Sequence, residues 1–143
     1  MITVLFACVH NAGRSQMAAS LFNQGADLSR ARAVSAGTRP ADRVHPEVVQ
    51  VMAEEGIDLS TIRPQLLTPA LAKTARLLVT MGCGDECPYV PGLLRDDWPL
   101  PDPKGQTLER VRLIRDEIRA RVARLLLDNG WERPLAPPPI SER

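Results

Sequence analysis

The chain has 143 residues, 44% of them apolar and 24% charged, a composition that folds around one core and is neither disordered nor fibrous. Eighteen Lys and Arg against 17 Asp and Glu leave a formal net charge of +1, so no chain-wide field exists to hold a nucleic-acid backbone, and two Phe, two Trp and one Tyr offer little surface for stacking bases or flat rings. Three cysteines, an odd number with no secretory signal ahead of them, read as free or catalytic thiols of a cytoplasmic protein rather than as a disulfide framework.

Residues 2–7 form a continuous apolar run, too short to span a bilayer, in which Ile2, Val4, Leu5 and Phe6 predict a central strand buried on both faces of a parallel sheet. Residues 8–14 contain the turn formers Asn11 and Gly13, and from Ser15, a candidate cap, Met17, Ala18, Leu21 and Phe22 recur at helical spacing. A weaker strand over 32–36 closes at Gly37. Residues 46–55 predict a helix with Pro46 in its first position, Val48, Val49 and Met52 on its apolar face and Gly56 after its end. A short helix over 68–74 precedes a second buried strand over 77–81, and 82–88 read as a loop with room for one helical turn. Leu93 and Leu94 begin a short fourth strand before Asp96, Asp97 and Trp98, and three prolines within 99–105 exclude a regular element there. The longest helix covers 106–129, with Leu108, Val111, Ile118, Val122 and Leu125 on one face and Arg110, Arg112, Arg115, Arg119 and Arg121 read as a solvated face. Beyond it Pro134, Pro137, Pro138 and Pro139 predict an extended or disordered tail, which divides the chain into one domain over 1–129 and a tail over 130–143.

Strands alternating with helices predict an α/β fold with a parallel sheet covered on both faces and a ligand at the carboxyl ends of the strands. The loop after the first strand, the loop after Met81 and the loop around Asp102 are predicted to converge there. The first of them, Cys8-Val9-His10-Asn11-Ala12-Gly13-Arg14-Ser15, carries a thiol and a guanidinium five residues apart with a hydroxyl next. Wrapped between a strand and a helix N-terminus, its main-chain amides point inward and the helix dipole adds positive potential, so a tetrahedral oxyanion fits. Arg14 grips two of its oxygens as a fork. The same field favours the thiolate of Cys8, its nucleophilic form, toward which Ser15 can donate. The bland alternative is a buried cysteine ending a strand beside a surface arginine.

Cys8 to Ser15, followed by Gln16-Met17-Ala18, resembles the active-site loop of arsenate reductases built on the low-molecular-weight protein tyrosine phosphatase fold. The resemblance continues through Ser35-Ala36-Gly37-Thr38, His45-Pro46, Gly56-Ile57-Asp58-Leu59-Ser60, Thr80-Met81-Gly82-Cys83 and Asp102-Pro103, to about Asn129. It implies a three-layer αβα sandwich with a four-stranded parallel sheet and the reduction of arsenate to arsenite. It makes Val9, His10, Asn11, Ala12, Gly13 and Arg14 the oxyanion cradle, with Asn11 orienting the loop and His10 turned away from the anion. Asp102-Pro103 matches the general-acid motif, with Asp97 a rival and an exposed turn aspartate the structural alternative. Some of these reductases bind potassium, but Ala19 stands where an acidic ligand is expected, so neither that ion nor an organic cofactor is anticipated.

Reducing arsenate takes two electrons and hence two thiols that end as a disulfide, which Cys83 and Cys87 can supply beyond Cys8. The three-cysteine branch of the family implies a relay in which Cys83 attacks Cys8 and Cys87 then attacks Cys83. The two distal cysteines lie closer together than in well-known three-cysteine relatives. Inert buried thiols, or half a zinc site, are the other readings of the pair. The expected partners are arsenate or another tetrahedral oxyanion and a thioredoxin, mycothiol or glutaredoxin-type reductant, with no nucleic acid, no membrane and a monomeric chain. Two further functions share the loop: a phosphatase for phosphotyrosine or small phosphomonoesters, and a non-catalytic oxyanion sensor or phosphoryl carrier. Lys104 and Gly105 follow Asp102-Pro103 where tyrosine phosphatases of this fold place ring-clasping tyrosines, which favours a small inorganic substrate.

Overall fold

A computed structural model describes residues 1–82 and 90–134. Four parallel strands, β1 (Ile2–Cys8), β2 (Ala31–Gly37), β3 (Leu77–Thr80) and β4 (Leu94–Asp97), lie in the order β2-β1-β3-β4. β1 takes the centre because it is apolar on both faces, with every residue from Thr3 to Cys8 buried. Successive side chains point to opposite faces. Val4, Phe6 and Cys8 therefore join the core under α1 (Arg14–Gly25), α2 (Pro46–Ala53) and α4 (Leu108–Asn129), and Leu5 and Ala7 join a smaller core with Ala72 of α3 (Pro69–Lys73). The three layers are thus unequal. After β1 the chain adds β2 on one side and later β3 on the other, so the strand order reverses at β1. In open α/β sheets ligands bind at such a reversal, outside the carboxyl ends of the strands, which here means Cys8 and the residues after Thr80.

The predicted strands and helices are all present, with shifts at their ends, while most of the predicted loop over 82–88 and of the tail over 130–143 lies outside the described residues. α1 starts at Arg14, one residue early, so Gly13 is its N-cap and no side chain caps it; Ser15, read as the cap, lies inside the first turn. Thr107 caps α4 by accepting from the Arg110 amide at 3.2 Å, and Gly130 closes it in the left-handed conformation at φ 68°. Residues 131–133 are docked on the domain: Glu132 bridges Ala26, the Arg133 amide donates to the Gly25 carbonyl at 2.8 Å, and Trp131 tilts against Phe22. Among the described residues no helix is long and apolar enough to cross a membrane.

Among the α4 arginines read as a solvated face, Arg115 corrects that reading, whereas Arg110 and Arg119 are exposed. Arg115 is 7% exposed and donates to the Val51 carbonyl and to Glu54 Oε1, both at 2.8 Å; Arg112 also grips Glu54, and Arg119 pairs with Glu55. They meet the end of α2, where unpaired helix carbonyls attract cations. The Arg112 and Arg115 hydrogen bonds hold the Glu54 carboxyl at about 2, down from 4.5. A depressed folded value means that this stabilisation is complete above the unfolded value and is lost as pH falls from 4.5 toward 2. Glu54→Gln is therefore expected to lower the melting temperature at pH 7 and to flatten its decline over that acid window. Thermal melts of parent and variant at a series of pH values check this; identical slopes would uncouple the network from folding.

Candidate active site

The loop between β1 and α1 is held from outside. The carbonyls of Cys8, Val9, His10 and Ala12 accept from the amides of Thr38 (3.3 Å), Arg39 (2.8 Å), Ala41 (3.0 Å) and His45 (2.9 Å). The Asn11 carbonyl accepts from Gln16 Nε2 at 3.0 Å, and that of Gly13 from the Met17 amide at 3.0 Å. With the carbonyls turned outward, the amides of Val9 to Ser15 carry no protein acceptor among the described residues. They and the uncapped first turn of α1 make a concave set of donors suited to an anion.

Beneath this ring lies a buried polar chain. Asn11 sits at φ 50°, a conformation asparagine tolerates better than most residues, and is fully buried. Its Oδ1 accepts from the Gln65 amide at 3.0 Å and from Gln16 Nε2 at 3.0 Å. Because a main-chain N–H can only donate, the Gln65 contact fixes which end of the Asn11 amide is oxygen. Asn11 Nδ2 therefore donates to Ser15 Oγ at 2.7 Å, and the hydroxyl hydrogen is left for Cys8 Sγ, 2.8 Å away. Cys8 is a free cysteine, 2% exposed, and Ser15 is fully buried, so the chain acts where water competes little.

Arg14 reaches over the cradle from the first turn of α1. Its side chain is 11% exposed, Nη1 donates to the Leu100 carbonyl at 2.9 Å, and Nη2 lies 4.0 Å from Asp102 Oδ2. Gly82, at φ 94°, lies beneath it: a Cβ there would come within 2.5 Å of Nη1. Asp102 is 48% exposed, and its Oδ1 accepts from the Lys104 amide at 3.0 Å. The next residue, Pro103, is buried and packs so closely on Gly13 that a Cβ on Gly13 would meet its ring at 2.6 Å. His45 crowds the same spot, and burial lowers its pKa below 6.5 against the opposing fields of Glu47 and Asp102. The rival carboxylate, Asp97, is engaged elsewhere, accepting from Thr80 Oγ1 at 2.6 Å at the ends of β3 and β4.

The structure thus brings Cys8, Asn11, Gly13, Arg14, Ser15 and Asp102 together and puts the His10 ring on the outer side, with Nδ1 3.1 Å from the Arg39 carbonyl. Cys83 and Cys87 lie outside the described residues; Gly82, against Arg14, is the residue before Cys83. Gln65 went unread as a site residue because it acts through its main-chain amide from 54 positions away. Gln16 had only its place after Ser15 to signal it. Chemically the arrangement can bind a tetrahedral oxyanion, attack its central atom with sulfur and protonate a departing oxygen. The aromatic rings among the described residues, Phe6, Phe22, Trp98 and Trp131, pack in or against the core.

Residues 3–133 match the family profile described as low molecular weight phosphotyrosine protein phosphatase. A Halobacterium salinarum protein named "Putative arsenate reductase" is 42% identical over 124 residues, 84% of this chain and 87% of its own. The glutaredoxin arsenate reductase of Synechocystis is 33% identical over 129 residues, 88% of this chain and 97% of its own. Among solved structures, the thioredoxin-dependent arsenate reductase of Corynebacterium glutamicum superposes with a TM-score of 0.78 at 38% identity over 91% of this chain, which spans 62% of the length of that longer one.

Proposed function

The chain belongs to the low molecular weight phosphotyrosine protein phosphatase family, and we propose that within it this protein is an arsenate reductase. The observation that carries the reading is the buried hydrogen-bond chain from Asn11 through Ser15 to Cys8, set beneath a ring of outward-held carbonyls. Relatives named as arsenate reductases support the choice of oxyanion. So does the mouth, where Lys104 and Gly105 follow Asp102-Pro103 and the described aromatic rings are spent on the core.

In this reading the Cys8 thiolate attacks the arsenic of arsenate. An As–S bond forms, one As–O bond breaks, and the oxygen leaves as water with a proton from Asp102. The ring amides and Arg14 bear the charge on the remaining oxygens. The Cys83 thiolate then attacks Cys8 Sγ: the S–S bond forms as the As–S bond breaks, its electron pair stays on arsenic, and arsenite departs. Two sulfurs have together lost the two electrons that arsenic gained. Cys87 next attacks Cys83, which frees Cys8 and leaves a Cys83–Cys87 disulfide for an external dithiol to open. Thioredoxin, or a glutaredoxin or mycothiol-type system, fills that role, and a reducing cytoplasm and a monomeric chain suit the cycle.

The test is arsenite production with a thioredoxin system, run beside phosphomonoester hydrolysis, on the parent and on Cys83→Ser and Cys87→Ser. Each variant is expected to stop multiple turnover. Cys83→Ser should also abolish the first arsenite, while Cys87→Ser should release one equivalent and stall. Unchanged turnover in both sinks the relay. Phosphatase turnover without arsenite assigns the site to phosphomonoesters, and arsenate binding without turnover of either substrate makes it a sensor.

A further inference from the structure

The Asp102 loop is held in an unusual way. Residues 99–105 include Pro99, Pro101 and Pro103, which have no amide hydrogen to give. Of the remaining donors, the Lys104 amide is turned inward to Asp102 Oδ1, and the Gln106 amide just beyond returns to the Pro103 carbonyl at 3.1 Å. Among the described residues, the polar ties from this loop to the rest of the molecule are three. Two belong to Arg14, its hydrogen bond to the Leu100 carbonyl and its ion pair with Asp102. The third is the Gly105 amide donating to Glu47 Oε1 at 3.2 Å.

Both of the Arg14 ties run through the same guanidinium that has to grip the oxyanion, and its Nη2 faces Asp102 at 4.0 Å. The Glu47 tie is the one that does not pass through Arg14. Glu47 sits in the first turn of α2, and that turn is already fixed to the oxyanion loop, because the His45 amide donates to the Ala12 carbonyl and the His45 ring shares with Pro103 the space over Gly13. One helical turn therefore touches both loops.

We infer that Glu47 is a positioning residue for the acid step, clasping the Asp102 loop through the Gly105 amide while Arg14 is engaged with the oxyanion. The inference rests on the arsenate reductase reading with Asp102 as acid. The competing role for Glu47 is a simple one, an acidic side chain favoured by the dipole at the start of a helix. Charge decides that role, whereas an acceptor oxygen decides the clasp, and Glu47→Gln keeps the acceptor without the charge.

The experiment is single-turnover arsenite release from the reduced full-length protein, which excludes the recycling reductant, together with hydrogen exchange at the Gly105 amide. Glu47→Ala is expected to slow release about tenfold at unchanged half-saturating arsenate and to speed Gly105 exchange about tenfold, and Glu47→Gln to stay within about twofold of the parent in both. In an Asp102→Asn background, Glu47→Ala should cost nothing more, since the group it positions is gone. Release at the parent rate, unchanged Gly105 exchange, or the same tenfold loss in the Asp102→Asn background each overturn the inference. A parent that makes no arsenite overturns instead the functional reading, and the Gly105 exchange still decides whether the clasp exists.

Discussion

Cys8→Ser is expected to lower arsenite production by about 10⁴-fold or more, about 5 kcal/mol of barrier, while arsenate still binds within about threefold of the parent affinity. The asymmetry follows from how the site is built. Oxyanion binding draws on the amides of Val9 to Ser15 and on the Arg14 guanidinium, and their positions come from carbonyls anchored to residues 38 to 45 and from Leu100, not from the sulfur. Serine fits the space, and its oxygen can keep a hydrogen bond with Ser15 Oγ. What it cannot do is supply an anion. A hydroxyl stays protonated where a thiol ionises, and among the described residues the hydrogen-bond partner of Cys8 Sγ is the Ser15 hydroxyl at 2.8 Å, which is not a base. Calorimetric titration with arsenate, a melting curve and an arsenite assay together check the prediction. Arsenite production surviving within tenfold would move the attacking sulfur elsewhere, to Cys83 first.

The parts of this molecule that are legible in its sequence are those whose physics is local. β1 announces itself because a strand with two buried faces must be apolar at consecutive positions, and the loop after it because a thiol, a guanidinium and a hydroxyl at fixed spacing have few other uses there. The misread parts are those decided by a partner distant in sequence. Arg115 looks like one more charge on a helix surface until α2 delivers Glu54 and the Val51 carbonyl to it across more than 60 positions. Gly13 reads as a turn former, yet what calls for glycine there is the Pro103 ring, which packs where a Cβ would be. Ser15 has the composition of a helix cap, but the strand end places Cys8 in front of it and its hydroxyl goes there. Gln65 offers no signal, since its contribution to Asn11 is a main-chain amide that any residue but proline carries.

Gly82→Ala is expected to lower kcat/KM for arsenate about 100-fold, through a residue with no side chain of its own. Two costs fall at this position. At φ 94° an alanine is strained whatever surrounds it, by about 1–2 kcal/mol, which is about 5 °C of melting temperature in a chain of this size. The added methyl also comes within 2.5 Å of Arg14 Nη1, 3.1 Å of Cζ and 3.3 Å of Nη2, so it meets the guanidinium across its width. The arginine must yield, because the alternative is to move the end of β3, and a displacement of about 1 Å costs a bidentate clamp most of its alignment. Gly56→Ala separates the two costs: Gly56 also has positive φ, 74°, but a Cβ there meets nothing within 4 Å. Gly56→Ala should share the melting shift and keep kcat/KM within about twofold, while Gly82→Ala should lose both. Equal kinetics in the two variants would mean that Arg14 does not hold the oxyanion. A kinetic loss confined to Gly82→Ala ties turnover to the guanidinium that this glycine leaves room for.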